Sequence, residues 1–296
     1  MKSILALPYF IAGALAGGLD MRQSGDSISC PQLHILGARE PTAPAGFGST
    51  QGVVQLLLDQ FPSSTAEAIN YPAEGGDAYG RSVTAGLRAL LNQTQAVMTR
   101  CPETKFVLVG YSMGAQIIDD AMCGGPDPPS LITDMIPMSP EMGEKVVATL
   151  LITDMIPMSP EMGEKVVATL WMGNPRFFSP SPYSVGSAKL GGFAAREQGF
   201  VCATYAERIQ SYCDERDPFC SKGSSDLTHQ NYAYKYGSSA LNFVKARVMA
   251  DASEVDMVSN ESTAAATEAE SSAEGWARPR LVLSMVFGMG ALGLAL

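Results

Sequence analysis

The chain has 296 residues, with 30 acidic against 20 basic side chains and a formal net charge of −10 at pH 7. Such an acidic protein repels nucleic acids and other polyanions, which argues against them as partners, whereas a neutral polysaccharide or an ester is compatible with the charge. Six cysteines, without a C-x-x-C pair or a histidine-rich cluster, favour disulfide bonds over metal ligation.

The amino-terminal stretch MKSILALPYFIAGALAGG has the pattern of a secretory signal peptide. Lys2 precedes an apolar run, and an A-x-A motif ending at Ala16 predicts cleavage there. The run is short for a membrane span. Residues 1–16 are therefore expected to be removed and the protein to be secreted, and the sequons at Asn92 and Asn260 are expected to carry glycans.

Between Cys30 and about Met249, apolar stretches alternate with helical ones, and we expect one domain covering 17–250. Expected strands are Leu33–Ala38, Ala66–Tyr71, Phe106–Tyr111, Val166–Met172 and Arg208–Tyr212, and expected helices are Gln51–Gln60, Tyr79–Thr99, Ala115–Met122 and Tyr232–Val248. Continuously apolar strands that alternate with helices predict an α/β domain in which a parallel sheet is covered on both faces.

The stretch VLVGYSMGAQ places Ser112 between two glycines, after a predicted strand and before a predicted helix. The spelling G-x-S-x-G in this context is typical of a nucleophile elbow, where glycines are needed because the serine backbone is strained and neighbouring chains pass close. The five-residue pattern alone is common by chance. A base and an acid must therefore be found elsewhere in the chain.

The base and the acid are sought among few residues, because the chain has only two histidines. His34 lies within the first predicted strand and is expected to be a sheet residue. His229 lies just before the last helix and is predicted to be the base. The loop CDERDPFC offers Asp214, Glu215 and Asp217 as the carboxylate that orients it. The order serine, acid, histidine is that of α/β-hydrolases, but this pattern does not choose among the three acids.

The segment LITDMIPMSPEMGEKVVATL occurs at 131–150 and again, letter for letter, at 151–170. Repeat architectures need about three copies to bury their faces, so a recent duplication or an error in the sequence record explains the tandem better. The second copy runs directly into WMGNPRF and is expected to supply the strand. The first is expected to be an insertion in the preceding loop, where added length has a small entropic cost.

The carboxyl-terminal part of the chain predicts a linker and an anchor. Residues 251–271 are rich in Ser, Thr, Ala and Glu and contain no aromatic residue, which favours a solvated linker. In 272–296, small residues around Ser272 precede a polar spacer and the apolar end LVLSMVFGMGALGLAL. This pattern is typical of a GPI-attachment signal. Membrane contact is then expected only through that anchor, on the outer cell surface; a tail-anchored or type I membrane helix is the alternative.

Seven stretches resemble the cutinase and acetylxylan esterase family of secreted serine esterases, and together they span roughly Cys30 to Val248. They are CPQLHILGARE, AEAINYPA, VLVGYSMGAQIIDDAMCGG, MGNPRF, YSVG, IQSYCDERDPFC and THQNYAYKYGSSALNFVK. The resemblance implies a three-layer α/β/α sandwich, a minimal lidless α/β-hydrolase with a five-stranded parallel sheet. It also implies Ser112 as nucleophile, Asp217 as acid and His229 as base. The wording of AEAINYPA and THQNYAYKYGSSAL favours the acetylxylan esterase branch.

The same resemblance implies two disulfide bonds. They are Cys30–Cys101 and Cys213–Cys220. Cys123 and Cys202 also match family cysteines, but serine and alanine stand where their usual partners are expected in YSVGSA, and Ser221 follows Cys220. These two cysteines either pair with each other or stay free.

Two departures from the family concern the oxyanion hole. Met113 replaces the usual glutamine after the serine, which is tolerable because the donor is the backbone N–H of that residue. Pro41 follows Ala38–Glu40 where the family has serine or threonine, and proline offers neither an N–H nor a hydroxyl. Loss of one oxyanion donor can lower the rate by about 10² to 10³. Thr42 is expected to replace the donor if the loop shifts by one residue.

These features predict a secreted, GPI-anchored, monomeric serine esterase that deacetylates acetylated xylan or a similar plant polysaccharide. No metal or other cofactor is expected, because triad chemistry uses only side chains and water. A cutinase that acts on cutin polyester is the alternative within enzymes. A catalytically weak or inactive surface-anchored homologue that binds carbohydrate is the alternative from another class, and Pro41 and the duplication favour it.

Deletion of 131–150 tests the interpretation of the tandem. The deletion is expected to preserve or improve folding, because the junction KVVATLLI would otherwise expose a β-prone, apolar segment. The measurement is the secreted yield and the thermal unfolding midpoint of the deleted and full-length proteins. Loss of secretion on deletion contradicts the interpretation.

Overall fold

The computed structural model describes residues 29–124, 127 and 158–274. The chain divides into two units, Met1–Cys30 and Pro31–Leu296, and the fold described below belongs to the second. The predicted signal peptide 1–16, the first repeat copy 131–150 and the anchor signal from residue 275 onward lie outside the described residues.

The described part of the second unit alternates strands and helices. The strands are β1 Leu33–Ala38, β2 Thr65–Ala68, β3 Lys105–Tyr111, β4 Val166–Met172, β5 Ser184–Val185 and β6 Ile209–Tyr212. The helices are α1 Gln51–Gln60, α2 Tyr79–Arg100, α3 Met113–Cys123, α4 Pro160–Lys165, α5 Asp226–Gln230 and α6 Tyr232–Glu274.

All strand pairs are parallel, and the order across the sheet is β2-β1-β3-β4-β6-β5. The expectation of five strands is therefore wrong for the described residues, which form six. The additional strand is the two-residue β5 at the sheet edge, held by hydrogen bonds from Ser211 N to Tyr183 O and from Cys213 N to Val185 O. A strand this short has no side-chain alternation by which it could be recognised in the sequence.

The three-layer α/β/α architecture is confirmed by how the strands bury their side chains. Leu36 and Leu108 pack with α2 and α3 on one face, and Ile35 and Val107 pack with α1 and α6 on the other. Every residue of β4 is buried, because helices cover both faces of the sheet. The parallel sheet brings the carboxyl ends of β3, β4 and β6 to one edge, where the functional site lies.

The second repeat copy supplies β4, as expected, and also a short helix that was not expected. Ser159 caps α4 by accepting a hydrogen bond from Met162 N, and Pro160 occupies its first turn, which is the preferred arrangement for a helix start. At the other end of the domain, α6 continues through 251–271. The segment predicted as a linker is thus helical, in keeping with the high helix propensity of alanine and glutamate.

No helix among the described residues is long and apolar enough to cross a membrane. Those residues also contain no group of His, Cys, Asp and Glu side chains arranged to hold a metal ion.

Candidate active site

Ser112 stands at the turn between β3 and α3. Its φ of 51° and ψ of −117° lie outside the regions that non-glycine residues normally adopt. The backbone around it holds this conformation, because Ser112 N donates to Met172 O at 2.8 Å and α3 begins at the next residue. The serine side chain is thereby raised at the carboxyl edge of the sheet.

The two glycines of the motif are required by close backbone contacts. A Cβ on Gly114 would lie 2.0 Å from the carbonyl oxygen of Ala38, and one on Gly110 would lie 2.5 Å from Ala115 Cα. Only glycine lets α3 start against β1 at this distance. The G-x-S-x-G spelling therefore has a local structural cause that is independent of any reaction.

The residues predicted as acid and base, Asp217 and His229, contact each other directly. His229 Nδ1 lies 2.7 Å from Asp217 Oδ2, and Oδ1 of the same carboxylate accepts hydrogen bonds from Phe219 N at 2.7 Å and Cys220 N at 3.0 Å. Asp217 is fully buried. Since an ionised carboxylate only accepts hydrogen bonds, His229 Nδ1 carries the proton and Nε2 is left as the acceptor nitrogen of the ring.

Burial by itself raises the pKa of Asp217, but the hydrogen bonds and charge of His229, together with the two backbone N–H groups, outweigh it, and the pKa lies below its ordinary value. Asp217 therefore stays ionised at neutral pH.

The structure distinguishes the three acids that the sequence left open. Asp214 is engaged elsewhere, with Ser187 and with Lys235 Nζ at 2.6 Å. Glu215 is exposed. Only Asp217 reaches His229, and the Cys213–Cys220 disulfide closes the loop that carries it.

A cleft of about 1020 Å³ contains both Ser112 and His229 in its lining. Its wall includes the carboxylates of Glu40 and Asp226 and, among the described residues, neither lysine nor arginine. The remaining lining residues include the tyrosine and phenylalanine side chains of Tyr79, Tyr111, Phe193 and Phe219. A neutral substrate with some apolar surface fits this lining better than an anion does.

The loop opposite the elbow contains Pro41 and Thr42, both in the cleft lining. Thr42 has a φ of 66°, and its N–H donates to Ala73 O at 2.7 Å. That N–H is therefore occupied, and the hydroxyl is the donor that Thr42 still offers. In the elbow, Met113 is the first residue of α3. The backbone N–H of Met113 therefore has no partner within the helix.

Arg39, a residue for which the sequence suggested no role, holds this loop in place. Its buried guanidinium donates to Ala43 O at 3.1 Å and to Tyr71 O at 2.5 Å, and Tyr71 OH donates back to Arg39 O. These bonds join the two loops that carry Thr42 and Ala73. Both residues have positive φ, and Ser112 is the only other non-glycine residue with positive φ among those described.

The motif MGNPRF does not supply a cleft residue. Its Asn174 and Arg176 belong, together with Arg196, to a buried ion network behind α3. Arg196 Nη2 pairs with Asp119 Oδ1 at 2.6 Å, and Arg176 Nη1 pairs with Asp127 Oδ1 at 3.1 Å. Asn174 Nδ2 donates to Asp119 Oδ2 at 2.7 Å. Removing one partner from such a pair is strongly destabilising, so this motif fixes the position of α3.

The same network reaches the cleft through Gln116. Its amide nitrogen donates to Asp127 Oδ2 at 2.5 Å, and its amide oxygen accepts from Tyr79 OH at 2.7 Å. Tyr79 in turn contacts Phe193 edge to face, with ring centroids 5.7 Å apart. Tyr79 and Phe193, two aromatic residues of the cleft lining, are thus linked through Gln116 to the buried carboxylate of Asp127.

The remaining candidate residues lie away from the cleft. Cys123 and Cys202 pair with each other, one of the two outcomes left open. Cys30 and Cys101 are disulfide-bonded, and no cysteine is free among the residues described. His34 is buried in β1, with Nδ1 2.7 Å from Thr65 Oγ1, as expected for a sheet residue. Two glycosylation candidates lie on helices: Asn92, exposed on α2, and Asn260, within α6.

Comparison with known proteins agrees with this geometry. The family model described as Cutinase matches residues 29–248. The chain is 41% identical over 252 residues to cutinase 11 of Verticillium dahliae, covering 83% of this chain and 76% of that protein. It is 40% identical over 250 residues to acetylxylan esterase 2 of Talaromyces purpureogenus, covering 81% of this chain and 98% of that protein.

Among solved structures, the catalytic core domain of acetyl xylan esterase from Trichoderma reesei superposes with a TM-score of 0.62 at 40% identity. The match covers 74% of this chain and 99% of that one.

Replacement of Gly114 tests the origin of the strained turn. Gly114→Ala is expected to lower the free energy of unfolding by about 3 kcal/mol, because the new Cβ overlaps backbone atoms that cannot move aside. Gly52→Ala is the matched control: its Cβ has only Ala233 Cβ within reach, at 3.9 Å, and it is expected to stabilise by up to about 1 kcal/mol through helix propensity. Denaturant unfolding measures both, and equal stabilities would contradict the packing account.

Proposed function

The chain belongs to the cutinase family and is a carboxylic ester hydrolase, and on this premise we propose that it is a secreted serine esterase that deacetylates acetylated xylan or a similar plant polysaccharide. The observation that carries the proposal is the 2.7 Å contact between His229 Nδ1 and Asp217 Oδ2, in a cleft that Ser112 and His229 both line.

In the proposed reaction, Ser112 is the nucleophile. His229 Nε2 takes the proton of the serine hydroxyl as its oxygen attacks the ester carbonyl, and Asp217 stabilises the imidazolium. The imidazolium of His229 then gives its proton to the sugar oxygen as the C–O bond breaks, so the sugar leaves with a free hydroxyl and an acyl-serine remains. A water molecule, deprotonated by His229, attacks the acyl carbon, and the acid and the free serine are released.

The negative charge on the carbonyl oxygen needs two donors. We assign one to Met113 N–H, at the amino end of α3, where the helix dipole also favours negative charge. We assign the other to the Thr42 hydroxyl, because Pro41 has no N–H and the N–H of Thr42 is bonded to Ala73 O. A side-chain hydroxyl thus takes the place of a backbone donor.

The choice of substrate rests on the lining of the cleft. Glu40 and Asp226 can accept hydrogen bonds from sugar hydroxyls, and Phe193 and Phe219 offer apolar ring faces, with 48% and 39% of their surfaces exposed. Two of the relatives, from Talaromyces purpureogenus and Trichoderma reesei, are named acetylxylan esterases, which supports the same substrate class. The similarity to a cutinase supports the second candidate, hydrolysis of cutin polyester, and Pro41 supports the third, a weak carbohydrate-binding homologue.

We propose further that residues 1–16 direct secretion and that 272–296 lead to attachment of a GPI anchor on the outer cell surface, with the protein acting as a monomer. Release of the protein from cells by a phospholipase C specific for phosphatidylinositol supports the anchor. Retention of the protein in the membrane after this treatment supports a transmembrane helix instead.

Ser112→Ala tests the nucleophile. The variant is expected to hydrolyse p-nitrophenyl acetate at least about 10⁴-fold more slowly than the wild type, because no other group can form the acyl-enzyme. Circular dichroism checks that the variant is folded. If the wild type and the variant both hydrolyse the ester at near-background rates, the carbohydrate-binding alternative is favoured. If the wild type turns over p-nitrophenyl butyrate or longer esters faster than the acetate, the cutinase is favoured.

Thr42→Val tests the second oxyanion donor. Valine keeps the branched shape but removes the hydroxyl, and kcat is expected to fall by about 10² with little change in KM. Thr42→Ser, which retains the hydroxyl, is the matched control and is expected to stay within a few-fold of the wild type. A kcat of Thr42→Val equal to that of the wild type would show that the hydroxyl is not a donor.

A further inference from the structure

The three residues of the proposed triad come from separate segments of the chain. Ser112 follows β3, Asp217 lies in the loop after β6, and His229 lies in α5. Since the reaction needs their side chains aligned to within a fraction of an ångström, other residues must connect these segments. Two buried tyrosines, Tyr111 and Tyr232, make the connections.

Tyr111 joins the elbow to the segment of the base. It directly precedes Ser112, and its hydroxyl donates to His229 O at 2.5 Å and accepts from Tyr232 N at 3.3 Å. Its ring also contacts the imidazole edge to face, with centroids 5.9 Å apart. The backbone of His229 is thus tied to the strand that carries the nucleophile.

Tyr232 joins the segment of the base to the acid. It is the first residue of α6, is fully buried, and its hydroxyl oxygen lies 2.8 Å from Asp217 Oδ2. This is the oxygen that also contacts His229 Nδ1. The N–H of Asp214 donates to the same hydroxyl at 2.8 Å.

The direction of these hydrogen bonds follows from the chemistry of the groups. The Asp214 N–H can only donate, so it uses a lone pair of the phenol oxygen, and the ionised carboxylate can only accept. The single phenol proton therefore points at Asp217 Oδ2. Burial raises the pKa of Tyr232 well above its ordinary value, and the charge of Asp217 raises it further, so the phenol keeps that proton.

We propose that Tyr232 is a positioning residue of the triad: its hydroxyl holds Asp217 Oδ2 against His229 Nδ1 and takes up part of the carboxylate charge. This inference rests on the proposed function. Without the hydroxyl, the Asp217 carboxylate keeps the donors Phe219 N, Cys220 N and His229 Nδ1 but loses its fourth donor. The carboxylate is then less firmly held, and more of its negative charge acts on the imidazole.

Few other charged or titratable groups act on His229, which makes the effect measurable. Asp217, Tyr111 and Tyr232 contact it, and Ser112, Glu40 and Asp226 share the cleft with it. Removal of the Tyr232 hydroxyl leaves every one of these other groups in place.

The test compares Tyr232→Phe with Tyr236→Phe in the full-length secreted protein. Tyr236 is on the same helix and stacks on Tyr232, with ring centroids 6.0 Å apart, but its hydroxyl donates to Asp214 Oδ1 at 2.9 Å and not to Asp217. Each substitution removes one hydroxyl from the same aromatic stack, so an effect of disturbing the stack itself appears in both. The readouts are kcat and KM for p-nitrophenyl acetate, their pH profile, and the NMR titration of the His229 Cε1 proton.

For Tyr232→Phe, kcat is expected to fall about tenfold with KM unchanged, the loss of one hydrogen bond to a charged group. The acid limb of the pH profile and the His229 titration midpoint are expected to move up relative to the wild type, because more of the Asp217 charge acts on the imidazole. Tyr236→Phe is expected to match the wild type in all of these. Only two histidines are present in the chain, so a His229→Gln spectrum assigns the signal.

A His229 midpoint that is unchanged or lower in Tyr232→Phe, or an equal shift in Tyr236→Phe, overturns the proposal. If Tyr232→Phe does not fold, 3-fluorotyrosine is placed at position 232 instead, which keeps the hydroxyl and makes it a stronger donor. The His229 titration midpoint must then move down, and an unchanged midpoint again overturns the proposal. The NMR readout does not depend on turnover. An inactive wild type whose variants show these shifts disproves the proposed function while supporting the role of Tyr232.

Discussion

The site depends on one close approach, the contact of the first turn of α3 with the end of β1. Gly114 brings the helix so near to Ala38 that any side chain there would overlap the carbonyl group of the strand. Because α3 starts at this point, the chain must reverse direction within Ser112, and the serine takes up a left-handed conformation. The position of Ser112 in the lining of the cleft is a consequence of this turn.

Strain at Ser112 persists because its surroundings over-determine it. The hydrogen bond from Ser112 N to Met172 O fixes the turn from the side of β4, and the buried pair of Arg196 and Asp119 fixes α3 from behind. The opposite loop follows the same logic: Thr42 and Ala73 both have positive φ, and the Arg39 guanidinium holds their two loops together. Among the described residues, the non-glycine residues with positive φ are thus Ser112, Thr42 and Ala73, and they are held by one buried ion pair behind α3 and by the hydrogen bonds of Arg39.

Sequence patterns predicted the parts of the fold in which one signal dominates. β1, β4 and α1 begin and end where the sequence predicts them: the two strands are short apolar runs flanked by polar or turn residues, and the helix has amphipathic periodicity. The two-residue β5 and the short α4 and α5 leave no such pattern, and the continuation of α6 depends on helix propensity in a polar stretch. Within the candidate site, motif spelling predicted Ser112, and only the family resemblance selected Asp217, because the residue pattern offers three acids in one loop. The fold supplies the physical reason: in the disulfide-closed loop, Asp217 is the acid that contacts His229.

The loop with Pro41 shows why a motif departure cannot be interpreted from spelling alone. Proline removes one backbone donor, but the hydrogen bond of the next N–H to Ala73 O holds the Thr42 backbone in place. A hydroxyl can rotate and is therefore less preorganised than an N–H group, which weakens it as an oxyanion donor. At Thr42 the branched Cβ restricts rotation of the side chain about χ1, so under the proposed assignment the side chain recovers part of the preorganisation lost with the backbone donor. The proline and the strained threonine are then two parts of one arrangement, and the departure from the family pattern is compatible with a working hydrolase.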